Sequence, residues 1–154
     1  MPKKVIETSH LIERVKGKPA NYPICLHMDC PKRDKCLHAL ETTPEHMVYP
    51  IVTCVNPLKC KREGDCTQFR DKDAKTKYAF GMKNIAWAMK HKDVYKAFKS
   101  ACMRHFCRTV YYDMLAGHRI IYFHEQKIIL DCAARLGVQL SPNSFDQMVE
   151  ATEW

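Results

Sequence analysis

The sequence predicts a mainly α fold in which an irregular, cysteine-rich, metal-binding N-terminal module packs on a C-terminal helical bundle with a helix-turn-helix-like segment. Six of the nine cysteines lie between residues 25 and 66, at short spacing that suits a soft metal ion. From residue 78 onward, apolar residues instead recur at the helical period. We therefore divide the chain into an N-terminal extension (1–21), a Cys-rich metal-binding module (22–75) and a helical bundle (76–154).

Composition limits the class of protein. The chain has 154 residues, of which 46% are hydrophobic and 27% charged, as expected of a folded domain. It contains no apolar run long enough to span a bilayer, so no membrane association is expected, and its start lacks a signal-peptide core. We therefore predict a cytoplasmic protein whose thiols stay reduced, which favours metal binding over disulfides as the role of the cysteines.

The first half of the chain predicts few regular elements. A short helix is expected around His10–Val15, stopped by Gly17 and Pro19. Residues 22–70 carry five of the eight prolines, so this segment needs crosslinks to order it. Val48–Val55 is β-branched enough for a short strand, which Pro50 confines to a sheet edge.

The second half predicts a series of amphipathic helices separated by breaks. The expected helices cover Tyr78–Met89, Asp93–His105, Arg108–Ala116 (closed by Gly117), a stretch through Ile128–Leu136 (ended by Gly137), and a short last helix opened by Ser141-Pro142 that carries Phe145, Met148 and Val149. These helices form the predicted bundle.

The cysteine cluster is a repeat. One copy contains Tyr22-Pro23-Ile24 and three cysteines, and the other contains Tyr49-Pro50-Ile51 and three more; each copy ends in a Cys-x5-Cys step. The six candidate metal ligands are Cys25, Cys30, Cys36, Cys54, Cys60 and Cys66.

Ligand counting favours one metal ion over two. A structural zinc site takes four ligands, so each three-cysteine copy is one ligand short. His27 or His38 could complete the first copy, but for the second copy the nearest upstream histidine is His46. A single zinc needs no histidine, and its natural ligands are Cys30, Cys36, Cys60 and Cys66. An iron–sulfur cluster held by four thiolates is the alternative cofactor.

Positive charge is concentrated in the bundle. Residues 83–119 contain eight Lys or Arg against two Asp, whereas residues 120–154 contain two against five Asp or Glu. Such a basic stretch indicates a polyanionic partner, although a solvated helix face accounts for the charge equally well.

The basic segment resembles the helix-turn-helix of small bacterial regulators. A helix up to His105 is followed by a break at Phe106-Cys107 and by a Thr-x-Tyr-Tyr helix that ends at Gly117. A helix N-terminus and the basic residues that follow such a helix can contact DNA phosphates or base edges. The candidate nucleic-acid-binding residues are Arg108, Thr109, Tyr111, Tyr112, His118 and Arg119. A plain bundle helix, with Tyr111 or Tyr112 in its core, is the competing interpretation.

The whole chain is similar to a bacterial family of small cysteine-rich proteins of unknown function. The similarity rests on Cys25-x4-Cys30-Pro-x4-Cys36-Leu, Val55-Asn-Pro-x2-Cys60-x5-Cys66-x2-Phe-Arg, Tyr78-Ala-x-Gly81, the Thr-x-Tyr-Tyr helix and the stretch from Phe145 to Trp154. It implies a Cys-rich module followed by helices, with no assigned activity. The position of Cys54 need not be cysteine in that pattern, which again favours one metal ion.

These features predict a zinc-stabilised DNA-binding protein of the transcriptional-regulator class. The alternatives are a protein-interaction or adaptor module with a structural zinc and no nucleic-acid role, and an iron–sulfur protein. No nucleophile triad, phosphate loop or paired-carboxylate motif is present, so no enzymatic activity is expected.

Overall fold

A computed structural model describes residues 7–59 and 66–154. Within these ranges the chain forms six α-helices and two β-strands. The helices are α1 (Thr8–Lys16), α2 (Leu37–Leu40), α3 (Lys83–Ala88), α4 (Lys92–Met103), α5 (Arg108–Ala116) and α6 (Phe123–Ala134); the strands are β1 (Lys75–Phe80) and β2 (Gln147–Thr152). The prediction of a mainly α fold is confirmed at this level. Each helix in the described ranges is too short or too polar to cross a lipid bilayer.

The chain divides into two compact units. Unit 1 comprises the described residues up to Val15 together with Thr76–Ala151, and unit 2 comprises Lys16–Lys75 with Thr152–Trp154. The first helix, which we assigned to an N-terminal extension, therefore belongs to the same unit as α3–α6.

The main core of unit 1 lies among α3, α4, α5 and α6. Its fully buried side chains include Ile85, Phe98, Tyr111, Met114 and Ile129. The local signals in the sequence place α4, α5 and α6 correctly: α5, for example, begins directly after the extended Cys107 and ends at Gly117, whose φ is 79°. Helix α4 begins at Lys92, one residue before the predicted start at Asp93, and its N-cap is His91.

A second, smaller core in unit 1 contains the buried face of α1. Leu11 and Val15 pack there with Phe80 of β1 and Val149 of β2. The hydroxyl of Thr8 also donates a hydrogen bond to the carbonyl oxygen of Gly117 at 2.9 Å. These contacts fix the predicted first helix against the rest of the unit.

Two of the predicted helices are wrong at places where the chain forms strands instead. Residues 75–80 form β1, although we placed Tyr78 at the start of a helix, and residues 147–152 form β2 where we expected a last helix. Gly81, with φ 75°, separates β1 from α3. The hydrogen bonds from Asp146 N–H to the Gly81 oxygen and from Glu153 N–H to the Ala74 oxygen flank the strand pair, so β1 and β2 run antiparallel.

Unit 2 has little regular structure in its described part. Besides α2, it contains short 3-10 turns at Arg33–Lys35, His46–Val48 and Pro57–Lys59. The predicted strand at 48–55 is wrong, since only Cys54 makes a β-bridge there. The scarcity of regular elements follows from the high proline content that the sequence shows.

Candidate functional site

The two cysteine-containing copies lie side by side in unit 2. Ile24, just before Cys25, forms a parallel bridge with Cys54. The N–H of Ile24 donates to the Thr53 oxygen at 2.9 Å, and the N–H of Val55 donates to the Ile24 oxygen at 2.8 Å. The two copies of the repeat are therefore hydrogen-bonded to each other next to the first cysteine of each copy.

A second pairing joins the end of one copy to the end of the other. Cys36 forms an antiparallel bridge with Asp71, and the Leu37 N–H donates to the Arg70 oxygen at 2.8 Å. The Nζ of Lys32, inside the first Cys-x5-Cys step, lies 5.2 Å from the centroid of the Phe69 ring. The segment that directly follows Cys66 thus runs along the first Cys-x5-Cys step.

The thiols of unit 2 differ in exposure. Cys36 is buried, Cys54 is exposed, and three others, Cys25, Cys30 and Cys66, are partly buried. Cys60 lies outside the described residues. Among the residues that are described, no three His, Cys, Asp or Glu side chains form a group that could hold a metal ion. The described members of the predicted ligand set, Cys30, Cys36 and Cys66, therefore do not form such a group in this structure.

His38, one of the histidines considered as a fourth metal ligand, makes packing and hydrogen-bond contacts in unit 2. The His38 side chain is buried, stacks on Tyr22 at a centroid distance of 4.6 Å, and places Nδ1 2.6 Å from the Pro23 oxygen. Because a carbonyl only accepts, Nδ1 carries the proton in this hydrogen bond. Trp154 packs edge-on against the same Tyr22 ring at 5.2 Å. His38 thus belongs to an aromatic cluster.

In unit 1, the two adjacent tyrosines of helix α5 differ in exposure. Tyr111 is fully buried in the core, whereas 38% of Tyr112 is exposed. Burial raises the pKa of the Tyr111 phenol and Tyr95 raises it further, so that phenol stays neutral. Arg108 and Thr109, at the start of the helix, are both exposed. Of the predicted α5 contacts, Arg108, Thr109 and Tyr112 can therefore reach a ligand, and Tyr111 cannot.

Arg119 is already engaged by a carboxylate. Its Nη2 lies 2.5 Å from Oε1 of the buried Glu125, whose other oxygen accepts the N–H of Tyr122 at 3.0 Å. Glu125 thus caps the start of α6, as in a capping box. Its other carboxylate oxygen holds Arg119. The guanidinium has a structural role here, so Arg119 is less suited to hold a phosphate than we predicted.

Two cations converge on the exposed ring of Tyr112. Lys99 Nζ donates a hydrogen bond to the phenol oxygen at 2.6 Å and lies 5.0 Å from the ring centroid, while Arg108 Cζ lies 6.0 Å from that centroid. The Lys99 hydrogen bond lowers the pKa of the Tyr112 phenol. We call these three residues the tyrosine cluster; it joins α4 to α5 and places two positive charges on one exposed ring.

A cleft of about 790 Å³ opens beside Tyr112. Its apolar lining includes Met89 and Leu115. Its charged and aromatic lining comprises Lys83, Trp87, Lys90, Lys92, Tyr95, Tyr112 and His118, with Asp113 as the one carboxylate among the lining residues. Its volume falls in the range of roughly 300–1,000 Å³ that is typical of ligand sites. We call this surface the cationic cleft.

The cleft contains residues that motif reasoning did not select. Trp87 is one of them, and 84% of it is exposed. Lys83 and Lys90 contributed only to the charge of the segment. An exposed tryptophan within a lysine-rich stretch is the sequence signal that could have identified this surface.

The fold and these surfaces define a mainly helical protein with a cationic, aromatic-lined cleft in one unit and paired thiol-rich segments in the other. The chain belongs to DUF6078, a family of unknown function whose model matches residues 7–154. Neither a curated protein nor a solved structure matches it.

Proposed function

We propose that this protein binds DNA through unit 1, as expected of a regulator, with α5 as the helix that lies against the nucleic acid. The observation that supports this proposal most directly is the tyrosine cluster, in which Lys99 and Arg108 share the exposed ring of Tyr112. Lys99 Nζ lies 5.0 Å and Arg108 Cζ 6.0 Å from the ring centroid, so a phosphate bound beside the ring is attracted by both positive charges. Thr109 and the N-terminus of α5 add a hydroxyl and backbone N–H groups on the same side of the helix.

Charge distribution extends this surface. Lys83, Lys90 and Lys92 line the cleft that Tyr112 borders. Together with Lys99 and Arg108, five cations of α3, α4, α5 and the α3–α4 loop therefore lie around one aromatic ring and one cleft. Proteins that neutralise several phosphates release counterions and bind with a steep salt dependence. Such a dependence is the expected signature of this surface.

Replacing both Lys99 and Arg108 by alanine is expected to reduce the salt dependence of DNA binding. Because each phosphate contact contributes about 0.9 to the slope of log K against log salt, the double variant should lose nearly two units of slope. The measurement is fluorescence anisotropy of a labelled duplex between 50 and 200 mM salt. Arg135→Ala is the matched control, since Arg135 is an exposed cation of α6 paired with Asp131. An unchanged slope in the double variant would remove this surface from the proposal. If the protein binds a protein partner and does not bind DNA, the adaptor alternative is favoured.

We also propose that unit 2 holds a structural metal ion, zinc in the first instance. The two backbone pairings favour this proposal, because they bring the two copies of the cysteine repeat alongside each other. Cys30, Cys36 and Cys66 are the described ligands we propose, and Cys60, outside the described residues, is the fourth.

Metal analysis of protein purified without oxygen or added metal is expected to give one zinc per chain. Cys30→Ser and Cys66→Ser should each lower this content, whereas Cys132→Ser, which changes a core cysteine of unit 1, should not. A brown protein with visible absorbance would indicate an iron–sulfur cluster instead. Metal-free protein whose unit 2 thiols react freely in the folded state would refute both.

A further inference from the structure

Trp87 has an environment unlike that of the other exposed aromatic residues of unit 1. Phe123 is covered by the Nζ of Lys127, which lies 4.5 Å from its ring centroid, and Tyr122 stacks on His124. Trp87 is 84% exposed, and within residues 7–59 and 66–154 no aromatic ring or cation lies against its indole. An indole left in water forgoes a large burial free energy, so its place at the cleft points to a ligand that covers it.

The position of Trp87 follows from the short helix that carries it. On α3, Ile85 is fully buried and Met89, just after the helix, is also buried, so Trp87 falls on the opposite, open side. The Asp146 carboxylate accepts the N–H groups of Lys83 at 3.0 Å and Asn84 at 2.7 Å, which anchors the start of the helix. The indole is therefore presented from a fixed helix.

The surroundings of the indole match the chemistry of a single strand of nucleic acid. Lys83, Lys90 and Lys92 offer cations for phosphates, and the indole offers a flat face for a base. A paired base has its faces covered by its neighbours in the duplex, whereas an unpaired base can stack on an aromatic side chain. The cleft therefore fits an unpaired nucleotide better than a continuous duplex.

We propose that the cationic cleft binds single-stranded nucleic acid, with one base stacked on Trp87 and the adjoining phosphates held by Lys83, Lys90 and Lys92. This inference rests on the proposed nucleic-acid function and states which form of the ligand enters the cleft. Binding of this kind tolerates sequence variation, because every base has a stacking face.

The test compares the affinity of the protein for a labelled 12-nucleotide oligothymidine with its affinity for a duplex of equal length, both at 50 mM salt. Trp87→Ala is expected to weaken binding of the single strand by roughly 5- to 150-fold, the range for loss of one base–aromatic stack, and to leave duplex binding unchanged. Trp87→Phe, which keeps a ring, should restore most of the affinity. Phe123→Ala, an exposed aromatic of α6 that does not line the cleft, is the matched control and should change neither.

Tryptophan fluorescence gives a second readout that does not depend on affinity. The chain has two tryptophans, so Trp87→Phe leaves Trp154 as the one indole. Oligothymidine should quench the parent protein, and this quenching should disappear in Trp87→Phe.

The outcomes separate the two proposals. If single strand and duplex bind equally, and Trp87→Ala affects neither, the cleft inference is overturned while the DNA-binding proposal stands. If neither nucleic acid binds, the DNA-binding proposal fails as well. If a polyglutamate peptide quenches Trp87 and oligothymidine does not, the ligand is an acidic protein segment and the inference is wrong.

Discussion

Phe98→Ala is expected to lower the free energy of unfolding of unit 1 by about 3–5 kcal/mol, the usual cost of deleting a buried phenylalanine. Phe98 is fully buried on α4 in the main core, together with residues of α5 and α6. Its loss removes a large apolar side chain and leaves a cavity that the surrounding helices can close only in part. Domains are commonly stable by only about 5–15 kcal/mol, so the variant should be markedly less stable.

The measurement for Phe98→Ala is urea unfolding followed by the helical circular dichroism signal. This signal reports chiefly on unit 1, since it holds α1 and α3–α6. Phe123→Ala is the control, because Phe123 is more than half exposed and its removal should cost no more than about 0.5 kcal/mol. A loss below about 1 kcal/mol for Phe98→Ala would contradict the arrangement of this core.

Gly81→Ala is expected to cost about 2–4 kcal/mol, because two effects add. The backbone at Gly81 has φ 75°, a conformation that costs a residue with a Cβ roughly 1–2 kcal/mol. An added Cβ would also overlap the side chain of Asp146, with 2.8 Å to its Cβ. Displacing Asp146 releases the N–H groups of Lys83 and Asn84 that it caps, a loss of about 0.5–2 kcal/mol.

The chain supplies a matched control for Gly81→Ala. Gly137 has nearly the same φ, 77°, but an added Cβ there meets nothing within 4 Å. Gly137→Ala should therefore show the conformational cost alone, about 1–2 kcal/mol. Equal losses for the two variants, in the same urea experiment, would show that contact with Asp146 contributes nothing. In the Asp146→Gly background, Gly81→Ala should cost less than it does alone, since every side-chain atom that clashes with the added Cβ is gone.

Helices α4, α5 and α6 were predictable because their signals are local. The apolar spacing of each helix lies within a dozen residues, and the glycines after α5 and α6 both adopt the left-handed conformation. The strands were not predictable in the same way. Tyr78 and Phe80 alternate as strand residues do, but Tyr78 also lies four residues before Met82, as in a helix. Pairing of β1 with β2 decided between these interpretations, and these two strands are far apart in sequence.

The candidate site shows the same division between local and distant information. Arg108, Thr109 and Tyr112 could be selected from the sequence because a helix start and its charges are local features. That Tyr111 is buried while Tyr112 is exposed depends on how α5 packs in the core. The capture of Arg119 depends on the carboxylate of Glu125, six residues away.

The sequence by itself determined helices α4, α5 and α6, the concentration of positive charge and the repeat of the cysteines. Periodicity, caps and composition act over a few residues and can be seen without knowing the fold. Only the tertiary structure decided that β1 pairs with β2, that the two copies of the cysteine repeat lie side by side, and that Trp87 is exposed at a lysine-lined cleft. Each of these features depends on contacts between residues distant along the chain, and such contacts form only when burial of the cores brings the segments together.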